Sequence, residues 1–98
     1  MAHRLSSRAR ADLDEIWRHI VLEGAGEPAA DNTIDLITDR FVLLSEWPRL
    51  GRARNDLRRG LRSFAVGDYV IFYRIAGTDV VIQRVLHGRR DIERMLTR

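Results

Sequence analysis

The hydrophobic period of this chain changes once, at Gly60, and that change limits what it can fold into. Before Gly60, apolar residues recur at helical steps. Ala9, Leu13, Ile16, Trp17 and Ile20 step by four, three, one and three, and Ala30, Ile34, Ile37, Phe41 and Leu44 keep helical spacing over about four turns. After it, β-branched and aromatic runs cover Leu61 to Val66, Tyr69 to Ile75 and Val80 to His87. A helical half followed by a strand-forming half predicts an α+β fold.

Local signals place the boundaries. His3 to Ser6 suits a short opening strand, and Ser6 or Ser7 can cap the first helix by accepting a backbone N–H. Gly24, Gly26 and Pro28 end that helix, the second begins near Pro28, and Pro48 stops it just after Trp47. So short a break predicts an antiparallel helix hairpin, with Trp17 and Trp47 as packing residues. Asp31, Asp35 and Asp39, four residues apart, read as a solvated flank.

Arg49 to Arg59 holds five arginines, one glycine and few apolar groups, which predicts a surface loop. The β-runs are parted by Val66-Gly67-Asp68 and Ala76-Gly77-Thr78, turns tight enough for two hairpins and hence a three-stranded antiparallel meander. In the middle run Tyr69, Ile71, Tyr73 and Ile75 point one way and Val70, Phe72 and Arg74 the other. Both sides are apolar, so the pattern does not decide which meets the helices. Asp91 to Arg98 suits a terminal helical turn. At 98 residues the expectation is one domain over 1–98.

Charge divides the chain as sharply as periodicity does. All 17 basic residues are arginine. Residues 1–47 carry five of them against nine acids, a net of −4, while residues 48–98 carry twelve against five, a net of +7. The second half suits an anionic partner, either nucleic acid or an acidic protein segment. There is no cysteine, so disulfides and thiolate metal sites are excluded, and a small chain without such staples depends on packing or on a partner. No run reaches the roughly 20 apolar residues that cross a bilayer, and Met1 to Leu5 has no apolar signal core behind its charge, so the expected compartment is the cytoplasm, away from membranes.

Four segments carry a family resemblance. They are Leu5-Ser6 opening onto Ala9, Ala11-Asp12-Leu13 and Ile16-Trp17; Trp47-Pro48-Arg49-Leu50-Gly51; Gly60-Leu61-Arg62 with Tyr69-Val70-Ile71-Phe72-Tyr73; and Arg84-Val85-Leu86-His87-Gly88-Arg89-Arg90-Asp91-Ile92. In this order they resemble toxins of the ParE/RelE superfamily, and the last segment is similar to the close of ParE sequences. The resemblance implies an N-terminal strand and two-helix hairpin packed on a C-terminal meander with a short tail. It implies a type II toxin whose partners are a ParD-like antitoxin, in a hetero-oligomer, and DNA gyrase as target, with replication blocked. Neither chemistry by the toxin nor any cofactor is implied.

Residues offering a site cluster at the close. His87, Arg89, Arg90 and Asp91 are the candidates for target contact, and the antitoxin is expected on residues 48–98. The alternative is a RelE-like endoribonuclease that cuts messenger RNA on the ribosome, in which His87 exchanges a proton with a ribose 2′-hydroxyl while Arg62, Arg84, Arg89 and Arg90 hold the phosphate. Against that, His87 and Asp91 can simply order the corner after the last strand, and the chain has neither lysine nor a tyrosine after Tyr73. No Gly-rich phosphate loop, metal-ligand spacing or Ser-His-Asp arrangement is visible.

Overall fold

The computed structural model describes residues 2–89 and 91. Strand β1, His3–Leu5, leads directly into helix α1, Ser7–Leu22. Ser6 joins them in an extended conformation (φ −66°, ψ 162°) and works in two directions. Its hydroxyl accepts from the Ala9 N–H at 3.0 Å, capping the helix, and donates to the Gln83 carbonyl at 2.8 Å. Gly24 and Gly26, with φ of 92° and 88°, take left-handed backbone that favours glycine, and they reverse the chain into helix α2, Glu27–Glu46, with Pro28 in its first turn. Trp17 Nε1 donates to Asp31 Oδ1 at 2.8 Å across this hairpin.

The remaining strands are β2, Arg52–Ala53; β3, Arg62–Val66; β4, Tyr69–Ala76; and β5, Asp79–His87. The meander β3-β4-β5 is present, and two more strands extend it to a five-stranded sheet of order β1-β5-β4-β3-β2. β1 lies parallel to β5, and the other pairings are antiparallel. β2 corrects the expectation of a loop from Arg49 to Arg59. Its two residues pair with Ser63 and Arg62 although they carry no strand-like pattern.

The helices cover one face of the sheet. Ala9 and Ile16 of α1 and Ile37, Phe41 and Leu44 of α2 pack on Val66, Ile71, Tyr73, Val80, Ile82 and Val85. The side of β4 that carries Ile71 and Tyr73 therefore meets the helices, which answers the question its pattern left open. On the far face Leu61, Phe72 and Leu86 form a smaller apolar cluster with Leu57 and Val70. A bulge separates the two sets on β5. Phe72 is paired with Arg84 but Tyr73 with Ile82, so Gln83 is the extra residue and the alternation shifts by one.

Trp47 departs from expectation. It is the C-cap of α2, with φ −127° and ψ 73°, so the helical stripe ends before it and the residue is 65% exposed. The next turn is anchored from within the sheet instead. Tyr73 Oη donates to the Pro48 carbonyl at 2.7 Å and accepts from the Gly51 N–H at 2.9 Å. Gly51 is needed because a Cβ there would lie 2.8 Å from the Ser63 carbonyl oxygen and against the Tyr73 ring.

Tyr73→Phe, which keeps the ring and removes both hydrogen bonds, is expected to lower unfolding free energy by about 1–3 kcal/mol. Gly51→Ala should cost a similar amount through overpacking, about 1–3 kcal/mol. Urea unfolding checks both, and an unchanged midpoint for either would mean that the turn is not held by this phenol.

Candidate functional site

The corner that follows β5 is tied on both sides. The His87 N–H donates to Asp91 Oδ2 at 2.9 Å and the Gly88 N–H to the Asp68 carbonyl at 2.8 Å. The His87 ring meets Tyr69 edge-on, with centroids 5.6 Å apart and planes at 86°. His87 is half-buried and Arg89 is exposed. Arg90, and the expected helical turn beyond Asp91, lie outside the described residues.

His87 faces a cleft between α1 and the sheet whose polar lining includes Asp12, Glu15 and Asp91, together with His19 and Tyr69. No arginine lines it among the described residues. The electrostatics are thus the reverse of those that would gather a phosphate beside a proton-transfer group.

Arg84 is committed elsewhere. Its Nε donates to Asp12 Oδ2 at 2.9 Å and its Nη2 to Asp12 Oδ1 at 3.0 Å, a two-pronged pair in which the side chains are 26% and 13% exposed. Asp12 also accepts from the Val85 N–H at 2.9 Å. The hydrogen bonds that Arg84 donates to Asp12 raise its guanidinium above the usual arginine value; burial, the next largest effect, opposes this, and the charges of Asp12 and then Asp91 add to the rise.

Arg62 is equally occupied. Its Nη2 donates to the carbonyls of Gly51 at 2.6 Å and Arg49 at 3.1 Å, and its Nε lies buried without a partner among the described residues. Register separates the set further. Arg62 is opposite Tyr73 and His87 opposite Tyr69, four residues along β4, which is roughly 13 Å. Arg84 is opposite Phe72, on the other face of the sheet. The structure does not bring Arg62, Arg84 and His87 together, whereas it does join His87 to Asp91. The pairing of Asp12 with Arg84 is not legible in the sequence, because the two lie 72 positions apart and Asp12 has the place of any polar flank residue of an amphipathic helix.

Two helices on a mixed five-stranded sheet, with a tied corner after the last strand, make a small α+β architecture. A chain from a solved structure described as "Chromosomal ParDE TA system from P. aeruginosa" shares this fold with a TM-score of 0.78, covering 89% of this chain and 95% of that one at 24% identity. Residues 4–92 match the family profile described as "ParE toxin of type II toxin-antitoxin system, parDE". The chain is 45% identical over 85 residues to "Toxin ParE3" of Caulobacter vibrioides, covering 87% of this chain and 84% of the relative. It is 38% identical to "Toxin RelE3" of the same organism, covering 86% and 90%. The chain belongs to the ParE family, the toxins of type II toxin–antitoxin systems.

Asp12→Ala should destabilise the fold by about 2–4 kcal/mol, because it orphans both the Arg84 guanidinium and the Val85 N–H. Asp12→Asn should cost less, since the amide oxygen still accepts one bond. Thermal unfolding of the two variants tests this ordering, and equal midpoints for both and for the parent would refute it.

Proposed function

We propose that this toxin arrests growth by binding DNA gyrase in the cytoplasm and blocking replication without chemistry of its own, and that a ParD-like antitoxin neutralises it. The observation that carries the reading is the setting of His87. An endoribonuclease needs a proton acceptor beside cations that hold the scissile phosphate, and here the imidazole faces a carboxylate-lined cleft while Arg84 and Arg62 are engaged with Asp12 and with backbone carbonyls. What the corner does offer outward is Arg89, an exposed fork beside a rigid turn. His87 and Asp91 hold that turn, and Arg89 with Arg90 contacts the target.

Induction without antitoxin should stop incorporation of labelled DNA precursor before that of labelled amino acid, and the purified toxin should inhibit gyrase supercoiling. Prompt loss of translation with cleaved messenger RNA would sink the reading. His87→Gln, which keeps a hydrogen-bonding group but cannot exchange protons at neutral pH, should remain toxic. Arg89→Ala with Arg90→Ala should abolish growth arrest while changing stability by no more than about 0.5 kcal/mol.

The antitoxin belongs at the apolar residues left uncovered near and beyond the end of α2, namely Trp47, Leu50 and Ile75, bordered by the basic second half. An acidic amphipathic segment would satisfy both features. Trp47→Ala should weaken the antitoxin complex about 10-fold or more with no change in the toxin's own unfolding midpoint. Hydrogen-exchange protection by the antitoxin should extend from the end of α2 into residues 48–98, and protection confined to residues 1–47 would contradict this placement.

A further inference from the structure

The sheet face turned away from the helices takes no part in the main core or the His87 cleft, and register fixes what it presents. One row across the strands reads Arg52, Ser63, Phe72 and Arg84, from β2 to β5. The neighbouring row reads Arg74, Val81 and Arg4, from β4 through β5 to β1. With strands about 4.8 Å apart and a two-residue step of about 7 Å, these four arginines root in a patch roughly 19 Å wide. Arg8, at the start of α1, and Arg58, in the segment between β2 and β3, line a cleft over the same face. Arg84 is taken by Asp12 and Arg4 lies 3.9 Å from Asp79, but Arg8, Arg52, Arg58 and Arg74 form no ion pair among the described residues.

Four guanidinium groups without an acidic partner among the described residues on one side of the sheet, Arg8, Arg52, Arg58 and Arg74, are costly in mutual repulsion unless something anionic answers them. We infer, building on the gyrase reading, that this face binds the phosphodiester backbone of duplex DNA, the substrate that gyrase holds. An acidic protein segment fits less well, because protein interfaces are held by apolar or aromatic anchors at their centre. The exposed large apolar residues Leu22, Leu36, Val42, Trp47, Leu50 and Ile75 all lie on the helices, in the turn after α2, or on the helix side of β4. Single strands fit less well too. They are held by bases stacked on aromatic rings, and the aromatic ring on this face, Phe72, is 1% exposed. A duplex backbone needs only dispersed, permanently charged forks. Glu15 and Asp91 line the α1 end of the cleft, so the phosphate track runs over Arg52, Arg58 and Arg74.

The test is fluorescence anisotropy of a labelled duplex of two helical turns with the purified full-length toxin. Three phosphate contacts predict an affinity loss of about 40-fold between about 50 and 200 mM salt. Arg52→Gln with Arg74→Gln should reduce that loss to about 4-fold, since each contact removed lowers the salt slope by about one. Arg10→Gln with Arg18→Gln, the same charge change on α1, should leave the slope of the parent. Should the first pair fail to fold, Arg52→Gln alone, on an exposed edge strand, should still lower the slope by about one. Salt-insensitive binding, an unchanged slope in the Arg52 and Arg74 variants, or stronger competition by polyglutamate or single-stranded RNA than by unlabelled duplex would overturn the assignment. Capture of purified gyrase without DNA, measured on the same proteins, separates the two readings. In the parent toxin, absence of duplex binding with capture intact counts against this face alone, and duplex binding without capture counts against the gyrase reading alone.

Discussion

A sheet edge of unequal strands leaves backbone groups without partners, and the way this chain closes that edge governs the rest of the molecule. β1 covers the outer edge of β5 only from Val80 to Ile82, after which β5 continues for five residues with no strand on that edge among the described residues. An open edge of that kind invites pairing with another chain. Here the start of α1 takes the place of a strand. The Ser6 N–H donates to the Ile82 carbonyl at 2.9 Å, the Ser6 hydroxyl to the Gln83 carbonyl, and Asp12 accepts from Val85 N–H. Because those bonds come from the first two turns of α1, they also set the angle at which the helix hairpin meets the sheet. The carboxylate cleft before His87 is a consequence of that placement.

The bulge at Gln83 is the second device. Without the extra residue, a continuous alternation along β5 could not place both Ile82 and Val85 on the helix side. With it, Val80, Ile82 and Val85 serve the main core while Arg84 and Leu86 turn to the far face, and Arg84 can reach round the edge to Asp12. One irregularity therefore builds the core, positions the ion pair and divides the cations between two surfaces. The arginine that is most conspicuous in the chain's closing segment is thereby a structural residue, whereas Arg89 stays exposed.

Much of this was legible in the sequence, and what was not has physical causes. Both helices follow from their apolar series, since Ala9, Ile16, Ala30, Ile37, Phe41 and Leu44 are all buried as spacing requires. The meander follows from its runs and glycine turns. β2 was invisible because its two residues are held by pairing with β3, next to a turn held by Tyr73 and Arg62, and nothing in Arg52 or Ala53 prefers a strand. Trp47 is exposed against expectation because helical spacing places a residue only while the helix continues, and α2 ends at Glu46. The orientation of β4 was undecidable because its second face packs too, against Leu61 and Leu86. For the site, the closing segment stood out by its residues, but the dispersal of Arg62, Arg84 and His87 depends on strand register and on a carboxylate 72 positions away, neither of which local pattern encodes.

Charge and apolar exposure are segregated in this molecule, and the segregation bears on how one small fold can serve two partners. Tight association with a protein draws on desolvated apolar anchors, and its strength changes little with salt; contact with a polyanion draws on released counterions and collapses as salt rises. On the readings proposed above, Trp47, Leu50 and Ile75 supply the first kind of surface and the outer sheet face the second, without overlap between the residues concerned. On the reading proposed above, an antitoxin seated at the end of α2 need not copy the target's contacts in order to silence the toxin. It has only to lie across the corner or the sheet from an anchor of its own. The arginines that an anionic target would meet are then free to be dispersed and numerous, because nothing about holding the antitoxin requires them to be packed.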